Sequence, residues 1–211
     1  MFASIILAGG DSSRIGENKA LLNINGKSLI ENIIDKLKLI SSKIYIVTNN
    51  RSDYEFLNNV ELLEDYPSHN QSLSQINIPL LDINSYESSK NILNAIYTGL
   101  KESEYEYNFV CACDMPNLNI DLINEIFSYK NQYDCLVPVI NYKPITLHTF
   151  YSKNCLEVIK SSLDKGNKVT RKIFRDLNTK YINDDILKNK DNELKSFFHI
   201  KTRLDYILSQ S

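Results

Sequence analysis

Short apolar runs alternate with amphipathic segments along the first two thirds of the chain, and this alternation constrains the fold more than any other feature. In the segment 28–40, for example, Leu29, Ile33 and Leu37 recur at a spacing that places them on one face of a helix. The apolar runs predict strands at 2–7, 43–48, 60–63, 107–113 and 134–139, and the amphipathic segments predict helices at 28–40, 91–100 and 120–129. This order is typical of a three-layer α/β sandwich around a central, mostly parallel sheet.

The last third of the chain has a less regular pattern. It predicts strands at 145–150 and 197–200, helices at 152–163, 168–177 and 202–208, and a surface loop at 183–193. Ser152 and Thr202 are the expected N-caps of two of these helices. No internal repeat or linker divides the 211 residues, so we predict a single domain over 1–211.

Composition excludes several classes of protein. Hydrophobic residues make up 43% of the chain, which is ordinary for a globular domain, and 24 Lys and Arg against 26 Asp and Glu leave no basic surplus for nucleic acid. No apolar run reaches the roughly 18 residues of a membrane helix, and residues 1–10 lack the basic start of a secretion signal. We therefore expect a cytoplasmic protein with no nucleic-acid or membrane partner, whose cysteines are buried thiols.

The first apolar run ends in a glycine pair that is followed by two basic residues. Residues 7–10 read Leu-Ala-Gly-Gly, and Arg14 and Lys19 come next. Glycines let the chain turn sharply and let backbone N–H groups approach a ligand, while the two cations neutralise phosphate charge. The segment lacks the G-K-[ST] of a P-loop and the G-x-G-x-x-G of a dinucleotide-binding turn. It predicts a loop that binds a nucleoside triphosphate; the alternative is a glycine turn beside two solvated basic residues.

Asp114 closes an apolar strand and is followed by Met115 and Pro116. A carboxylate in this place lies at the carboxyl edge of the sheet, because proline ends the strand ladder. Mg²⁺ is commonly held by one or two carboxylates together with substrate phosphates, so Asp114 is the candidate metal ligand. The alternative role, capping the next helix, is disfavoured because that helix is predicted to start near Asn119.

Polar residues also follow the two other strands of the first half. Asp65 comes after the strand 60–63, and Asn49 and Asn50 come after the strand 43–48. A carboxylate accepts hydrogen bonds from a base or ribose, and an amide both donates and accepts them. Both kinds of residue are also common in turns that have no function, so each position keeps this second interpretation.

Five segments together resemble one known family. They are the string L-A-G-G-x-S-x-R-x-G-x-x-K-A-L-L over residues 7–22, Asn25–Leu29, Leu63–Asp65, the C-x-C-D-x-P run Cys111–Pro116, and Pro144–Leu147. In this order they are similar to the motifs of the molybdenum cofactor guanylyltransferases, which are nucleotidyltransferases with a Rossmann-like sheet. The resemblance covers nearly the whole chain.

The resemblance implies an activity and a set of site residues. The activity is transfer of GMP from GTP to the terminal phosphate of molybdopterin or the molybdenum cofactor, with release of pyrophosphate, and other cofactor-biosynthesis proteins are left open as partners. The amino-terminal half would bind the nucleotide and the carboxyl-terminal half the acceptor. Arg14, Lys19 and Asp114 would be catalytic, with Mg²⁺ on Asp114. The residues implied to bind the nucleotide are Leu7, Ala8, Gly9, Gly10, Lys19, Asn49, Asp65 and Asp114.

Two segments depart from the family pattern. The G-P-L-x-G segment that approaches guanine has no counterpart within 67–99, and the carboxyl-terminal N-x-N-T-P becomes His-Ile-Lys-Thr-Arg over 199–203. His199 and Lys201 are candidates for a phosphate contact, and a surface histidine at a strand end is the alternative for His199. These departures keep two other functions open: a cytidylyl- or sugar-phosphate nucleotidyltransferase, and a non-catalytic nucleotide-binding relative.

Overall fold

A computed structural model describes residues 1–9, 16–65, 92–167 and 169–209. The strands are β1 (Ala3–Leu7), β2 (Asn23–Ile24), β3 (Lys27–Ser28), β4 (Lys43–Thr48), β5 (Glu61–Glu64), β6 (Tyr107–Ala112), β7 (Cys135–Ile140), β8 (Lys143–Pro144), β9 (Thr149–Ser152) and β10 (Thr179–Asn183). The main sheet has the order β10-β7-β9-β6-β1-β4-β5, with β8 paired to β7. β1 pairs in parallel with both β4 and β6, and β9 is antiparallel to its two neighbours. The predicted mostly parallel sheet is confirmed.

Helices cover both faces of this sheet. They are α1 (Leu29–Leu37), α2 (Ile92–Glu102), α3 (Ile120–Ser128), α4 (Cys155–Asp164), α5 (Asp184–Lys188) and α6 (Arg203–Leu208), and 3-10 turns occur at Lys19–Leu21, Arg51–Tyr54, Thr170–Arg175 and Lys195–Phe197. One buried apolar cluster joins α1 and α3 to the sheet, and a second joins α2 and α4 to the opposite face. Two cores on either side of one sheet make the three layers that the sequence predicts.

β1 lies at the centre of the molecule because both of its faces are apolar. Ile5 belongs to one cluster and Ile6 to the other, and both side chains are fully buried. On the Ile5 side, α2 approaches through Gly99, where an added Cβ would lie 2.6 Å from Ile5 Cγ2. The glycine therefore sets the distance between this helix and the strand that leads into the candidate site.

Two helices begin with a capping box formed by residues close together in the sequence. The Ser28 side chain caps α1 and Glu31 returns a hydrogen bond to the Ser28 N–H, so the two residues form a capping box. Thr202 and Asp205 form the same arrangement at α6. The predicted cap at Thr202 is thus correct, and the cap at Ser28 is found only in the structure.

The predicted cap at Ser152 is wrong, and so are the bounds of the two elements around it. Ser152 belongs to β9, where it pairs with Tyr107, and α4 begins three residues later at Cys155. The strand expected at 145–150 is shifted to Thr149–Ser152, since its place is decided by pairing with β6 and β7 rather than by its own composition.

Three other expectations in the last third are also wrong. The segment 183–193 is not all loop: it contains α5, anchored by the buried Leu187, and β10 with the buried Ile182 precedes it. The helix expected at 168–177 is a 3-10 turn at Thr170–Arg175. The strand expected at 197–200 follows a 3-10 turn and joins no sheet among the described residues. Single buried apolar residues within polar sequence give too weak a periodicity to be read.

All four cysteine side chains are buried, as predicted. The Sγ atoms of Cys135 and Cys155 are 3.4 Å apart, which is a contact between thiols and not a bond. Of the helices in the described ranges, none combines the length and the apolar character needed to span a membrane.

Candidate active site

The carboxyl ends of three adjacent parallel strands meet at one edge of the sheet. β1 leads into Gly9, β4 into Asn49, and β6 into Asp114. Backbone hydrogen bonds continue past the strand ends: Ala8 N donates to Val47 O at 2.8 Å, and Cys113 N donates to the β1 residue Leu7 at 3.1 Å. Ligands of open α/β sheets bind outside the carboxyl ends of the strands, and this edge is such a place.

Lys19 and Asp114 face each other at this edge. The Lys19 Nζ atom is 3.9 Å from Asp114 Oδ2, and only 14% and 18% of the two side chains are exposed. Lys19 begins the 3-10 turn after the glycine loop, whereas Asp114 follows β6, so the pair joins segments 95 positions apart in the sequence. An ammonium and a carboxylate in partial shelter from water form a charged pair that suits a bound phosphate and its counterion.

A polar network positions the turn that carries Lys19. The Asn18 side chain accepts a hydrogen bond from Ala20 N at 3.1 Å and donates to Asp53 Oδ2 at 3.0 Å. The Tyr54 hydroxyl donates to Ala8 O at 3.1 Å, and burial raises the pKa of Tyr54 to about 12, so the donor keeps its proton. Sequence reasoning missed Asn18, Asp53 and Tyr54, because a network between segments 35 residues apart leaves no local signal.

Asp114 is held on two sides. Its backbone oxygen accepts a hydrogen bond from Ile200 N at 2.9 Å, and its Oδ1 atom lies 2.7 Å from His199 Nδ1. The cap of α3 is Asn119, whose side-chain oxygen accepts hydrogen bonds from the first turn of the helix, so Asp114 is not the cap. His199, a candidate for a phosphate contact, contacts the candidate metal ligand directly.

Of the two asparagines after β4, Asn49 is the one beside the glycine loop. A Cβ built on Gly9 would lie 3.5 Å from Asn49 Nδ2. The Asn50 amide is used locally, since its Nδ2 donates to Asp53 Oδ1 at 2.8 Å. The Asn49 side chain is exposed and makes no hydrogen bond to the part of the chain that the structure describes. Asn49 therefore lies beside Gly9 at the carboxyl end of β4, and Asn50 shapes the turn.

Asp65 directly follows β5 and ties that strand to α2. Its Oδ1 atom accepts hydrogen bonds from Asn94 Nδ2 at 2.8 Å and from Thr98 Oγ1 at 3.0 Å. Neighbouring strands lie about 4.8 Å apart, so the three spacings between β5 and β6 place Asp65 roughly 14 Å along the edge from Asp114. Asp65 thus belongs to the far end of the edge and does not share a metal site with Asp114.

The remaining predicted residues lie at the start of the loop. Leu7 and Ala8 are buried, and the Ala8 N–H and carbonyl are both used within the protein. Leu7 and Ala8 therefore anchor the start of the loop to the sheet. Gly10 and Arg14 lie outside the described residues, so their predicted roles are not tested.

Comparison with known proteins gives the family. The MobA-like NTP transferase domain matches residues 4–181. The chain belongs to this family. A probable molybdenum cofactor guanylyltransferase of Natranaerobius thermophilus is 31% identical over 96% of this chain and 92% of its own length. The molybdenum cofactor guanylyltransferase of Desulfosudis oleivorans is also 31% identical, over 94% of this chain and 89% of its own length.

Solved structures of other MobA-like and related proteins share the fold. The molybdopterin-guanine dinucleotide biosynthesis protein A of Archaeoglobus fulgidus superposes with a TM-score of 0.77 at 21% identity, over 99% of this chain and 97% of that one. The 2-C-methyl-D-erythritol 4-phosphate cytidylyltransferase of Thermus thermophilus has a TM-score of 0.69 at 10% identity, over 100% and 98%. The predicted nucleotidyltransferase fold and family are confirmed. The match to the MobA-like domain ends at residue 181, before His199.

Proposed function

We propose that this protein is a molybdenum cofactor guanylyltransferase, which transfers GMP from GTP to the terminal phosphate of molybdopterin or the molybdenum cofactor and releases pyrophosphate. The observation that carries the proposal is the pairing of Lys19 and Asp114, 3.9 Å apart, at the carboxyl edge of a sheet in a MobA-like NTP transferase. Relatives that carry this enzyme's name match the chain over nearly its full length, which supports the choice of acceptor.

Asp114 has the chemistry of a magnesium ligand. Its side chain is partly exposed; Oδ2 faces Lys19 and makes no hydrogen bond to a described residue, while Oδ1 is held by His199. Within the described ranges no three His, Cys, Asp or Glu side chains gather at one point. Asp114 would hold a divalent cation together with substrate phosphates and water. Mg²⁺ accepts such a shell readily. When bound, Mg²⁺ neutralises charge on the triphosphate and the departing pyrophosphate.

The transfer itself requires positioning and charge neutralisation. An oxygen of the acceptor's terminal phosphate forms a bond to the α-phosphorus of GTP, the bond from that phosphorus to the β-phosphate oxygen breaks, and pyrophosphate leaves with the bonding electrons. The Lys19 ammonium neutralises charge on the phosphates, and Arg14 is assigned the same task from its place in the loop. No protein nucleophile is required. Cys111 and Cys113 precede Asp114 in the chain, and both are buried in the core.

The nucleotide lies along the edge of the sheet in this proposal. Its phosphates occupy the end near Lys19 and Asp114, Asn49 contacts it beside Gly9, and the base and ribose extend towards Asp65. The hydrogen bonds from Asn94 and Thr98 to Asp65 fix the carboxylate that would meet them. The proposal places the reaction in the cytoplasm, with GTP and the pterin as substrates and other cofactor-biosynthesis proteins as candidate partners.

One experiment tests the function. Purified protein is incubated with GTP, Mg²⁺ and molybdopterin, and pyrophosphate release and the dinucleotide product are measured. We expect product only when all three are present. Product from CTP and none from GTP would contradict the proposal and identify the protein as a cytidylyltransferase. Binding of GTP without turnover at high protein concentration would replace it with a non-catalytic nucleotide-binding protein.

A further inference from the structure

We propose that His199 is a positioning residue for Asp114: its Nδ1–H donates to Oδ1 of the carboxylate and fixes the group so that Oδ2 faces Lys19 and an incoming divalent cation. The inference deepens the proposed function and rests on it for the identity of the cation. It concerns a segment that lies beyond the match to the MobA-like domain, which ends at residue 181.

The two oxygens of Asp114 have different surroundings. Oδ1 lies 2.7 Å from His199 Nδ1, whereas Oδ2 lies 3.9 Å from Lys19 Nζ. The histidine and aspartate side chains are 21% and 18% exposed, so the hydrogen bond forms in partial shelter from water. A hydrogen bond to an ionised carboxylate is about twice as strong as one between neutral groups. Since the terminal torsion of aspartate is otherwise soft, this bond selects the orientation of the carboxylate.

His199 is itself held rigidly relative to Asp114. On one side of it, the buried Ser196 accepts a hydrogen bond from Asn119 N at 3.1 Å and donates to Asn117 O at 3.1 Å. On the other side, the fully buried Ile200 donates its N–H to the backbone oxygen of Asp114. The segment that carries the imidazole is therefore bonded on both sides to the turn that carries the carboxylate.

The ring of His199 is unsuited to bind Mg²⁺ directly. Mg²⁺ prefers oxygen ligands, and the Nδ1 atom is already engaged with Asp114. Carboxylates that ligate metals are commonly hydrogen-bonded by a residue behind them, and loss of that residue lowers metal affinity or activity by about 10- to 100-fold. The geometry of His199 matches this supporting role.

The test compares two substitutions that differ in one property. His199→Asn keeps a donor, because the asparagine Nδ2 is bonded to Cγ as the histidine Nδ1 is, and His199→Leu has a branched side chain of similar shape to asparagine but no donor. Binding of Mn²⁺ to the full chain is measured without nucleotide by the electron paramagnetic resonance signal of the free ion. Asp114→Asn serves as the reference for loss of the ligand, and thermal unfolding shows that each variant is folded.

We expect His199→Leu to weaken Mn²⁺ binding about 10- to 100-fold, and His199→Asn to bind close to the wild type. In the transfer assay, the Mg²⁺ concentration that gives the half-maximal rate should be higher for His199→Leu than for His199→Asn and the wild type. Equal Mn²⁺ affinity of His199→Leu and wild type, equal weakness of both variants, or no Mn²⁺ binding by the wild type each overturns the inference. Absence of guanylyl transfer with the expected order of Mn²⁺ affinities would instead contradict the proposed function alone.

Discussion

In the half of the chain that runs to the end of α3, regular strands and helices deliver the charged groups of the candidate site, Lys19 and Asp114. From β7 onwards the chain contributes contacts that orient those groups. His199 and Ile200 bind the turn of Asp114, and the Tyr206 hydroxyl donates to Asn23 O in β2 at 2.6 Å. The first half thus contains the charged groups of the candidate site, and contacts from the second half fix their positions.

This contrast follows from how each half is stabilised. The first half folds around β1, which is buried on both faces, so its pattern of apolar residues is strong and local. From β10 onwards the second half depends on single anchors such as Ile182, Leu187 and Ile200, each fully buried within polar sequence. Substitutions in the two halves should therefore differ in what they change: activity or core packing in the first, and orientation or pH response in the second.

The largest effect is expected from Asp114→Asn. The substitution keeps the shape of the side chain and removes the charge, so Mg²⁺-dependent transfer should fall by at least about 10²- to 10³-fold, as when a single group that stabilises transition-state charge is removed. The thermal unfolding temperature should stay close to that of the wild type, because the side chain is partly exposed. Rates within a few-fold of wild type would show that the charge of Asp114 is not required.

The next effect concerns His148 in the second half. This fully buried histidine lies between Phe109 and Phe197, and neither ring nitrogen has a hydrogen-bond partner among the residues that the structure describes. Burial lowers its pKa from 6.5 to about 3, with Asp191 opposing the shift and His199 adding to it. The stability that depends on neutral His148 is therefore complete above pH 6.5 and is lost as the pH falls towards 3.

The size of this pH effect can be measured by substitution. At pH 5 the wild type should have lost about 2 kcal/mol of unfolding free energy through this group, whereas His148→Phe removes the titration and keeps an aromatic ring between Phe109 and Phe197. Urea unfolding of both proteins at pH 7 and pH 5 gives the comparison. A difference between them that does not change with pH would contradict the assigned burial of the neutral imidazole.

The sequence predicts the first half well for a physical reason. The helix over 28–40 and the strand over 43–48 have strong periodicity and local caps, and the candidate phosphate loop and Asp114 lie directly at strand ends. What the sequence does not show depends on contacts across the fold. The Asn18–Asp53 hydrogen bond joins residues 35 positions apart, and the His199–Asp114 contact joins residues 85 positions apart. No local sequence pattern predicts contacts at such separations.

A smaller effect should follow from Gly99→Ala in the first half. The added Cβ would lie 2.6 Å from Ile5 Cγ2, in a core where Ile5 is fully buried. Overpacking costs about 1–3 kcal/mol, and the gain in helix propensity offsets up to about 1 kcal/mol of that. We expect a net loss of about 1–2 kcal/mol in the free energy of unfolding.

A double-mutant cycle identifies the cause. Ile5→Ala removes both Cγ2 and Cδ1, so Gly99→Ala should cost little or even stabilise the protein in that background. The same loss in both backgrounds would show that the contact between α2 and β1 is not what excludes a larger residue at position 99.

The smallest effect distinguishes the two asparagines that follow β4. Asn49→Ala removes an exposed amide beside Gly9, so the KM for GTP should rise by the value of one hydrogen bond, about 0.5–1.5 kcal/mol or roughly 2- to 13-fold, with little change in stability. Asn50→Ala is the matched control: it removes the bond to Asp53 Oδ1 and should lower the unfolding temperature slightly while leaving the KM unchanged. Steady-state kinetics and thermal unfolding of the two variants check both statements. If the two effects were reversed, the nucleotide would contact Asn50, and the turn after β4 would have to open to admit it, because the Asn50 amide is bonded to Asp53 when the turn is closed.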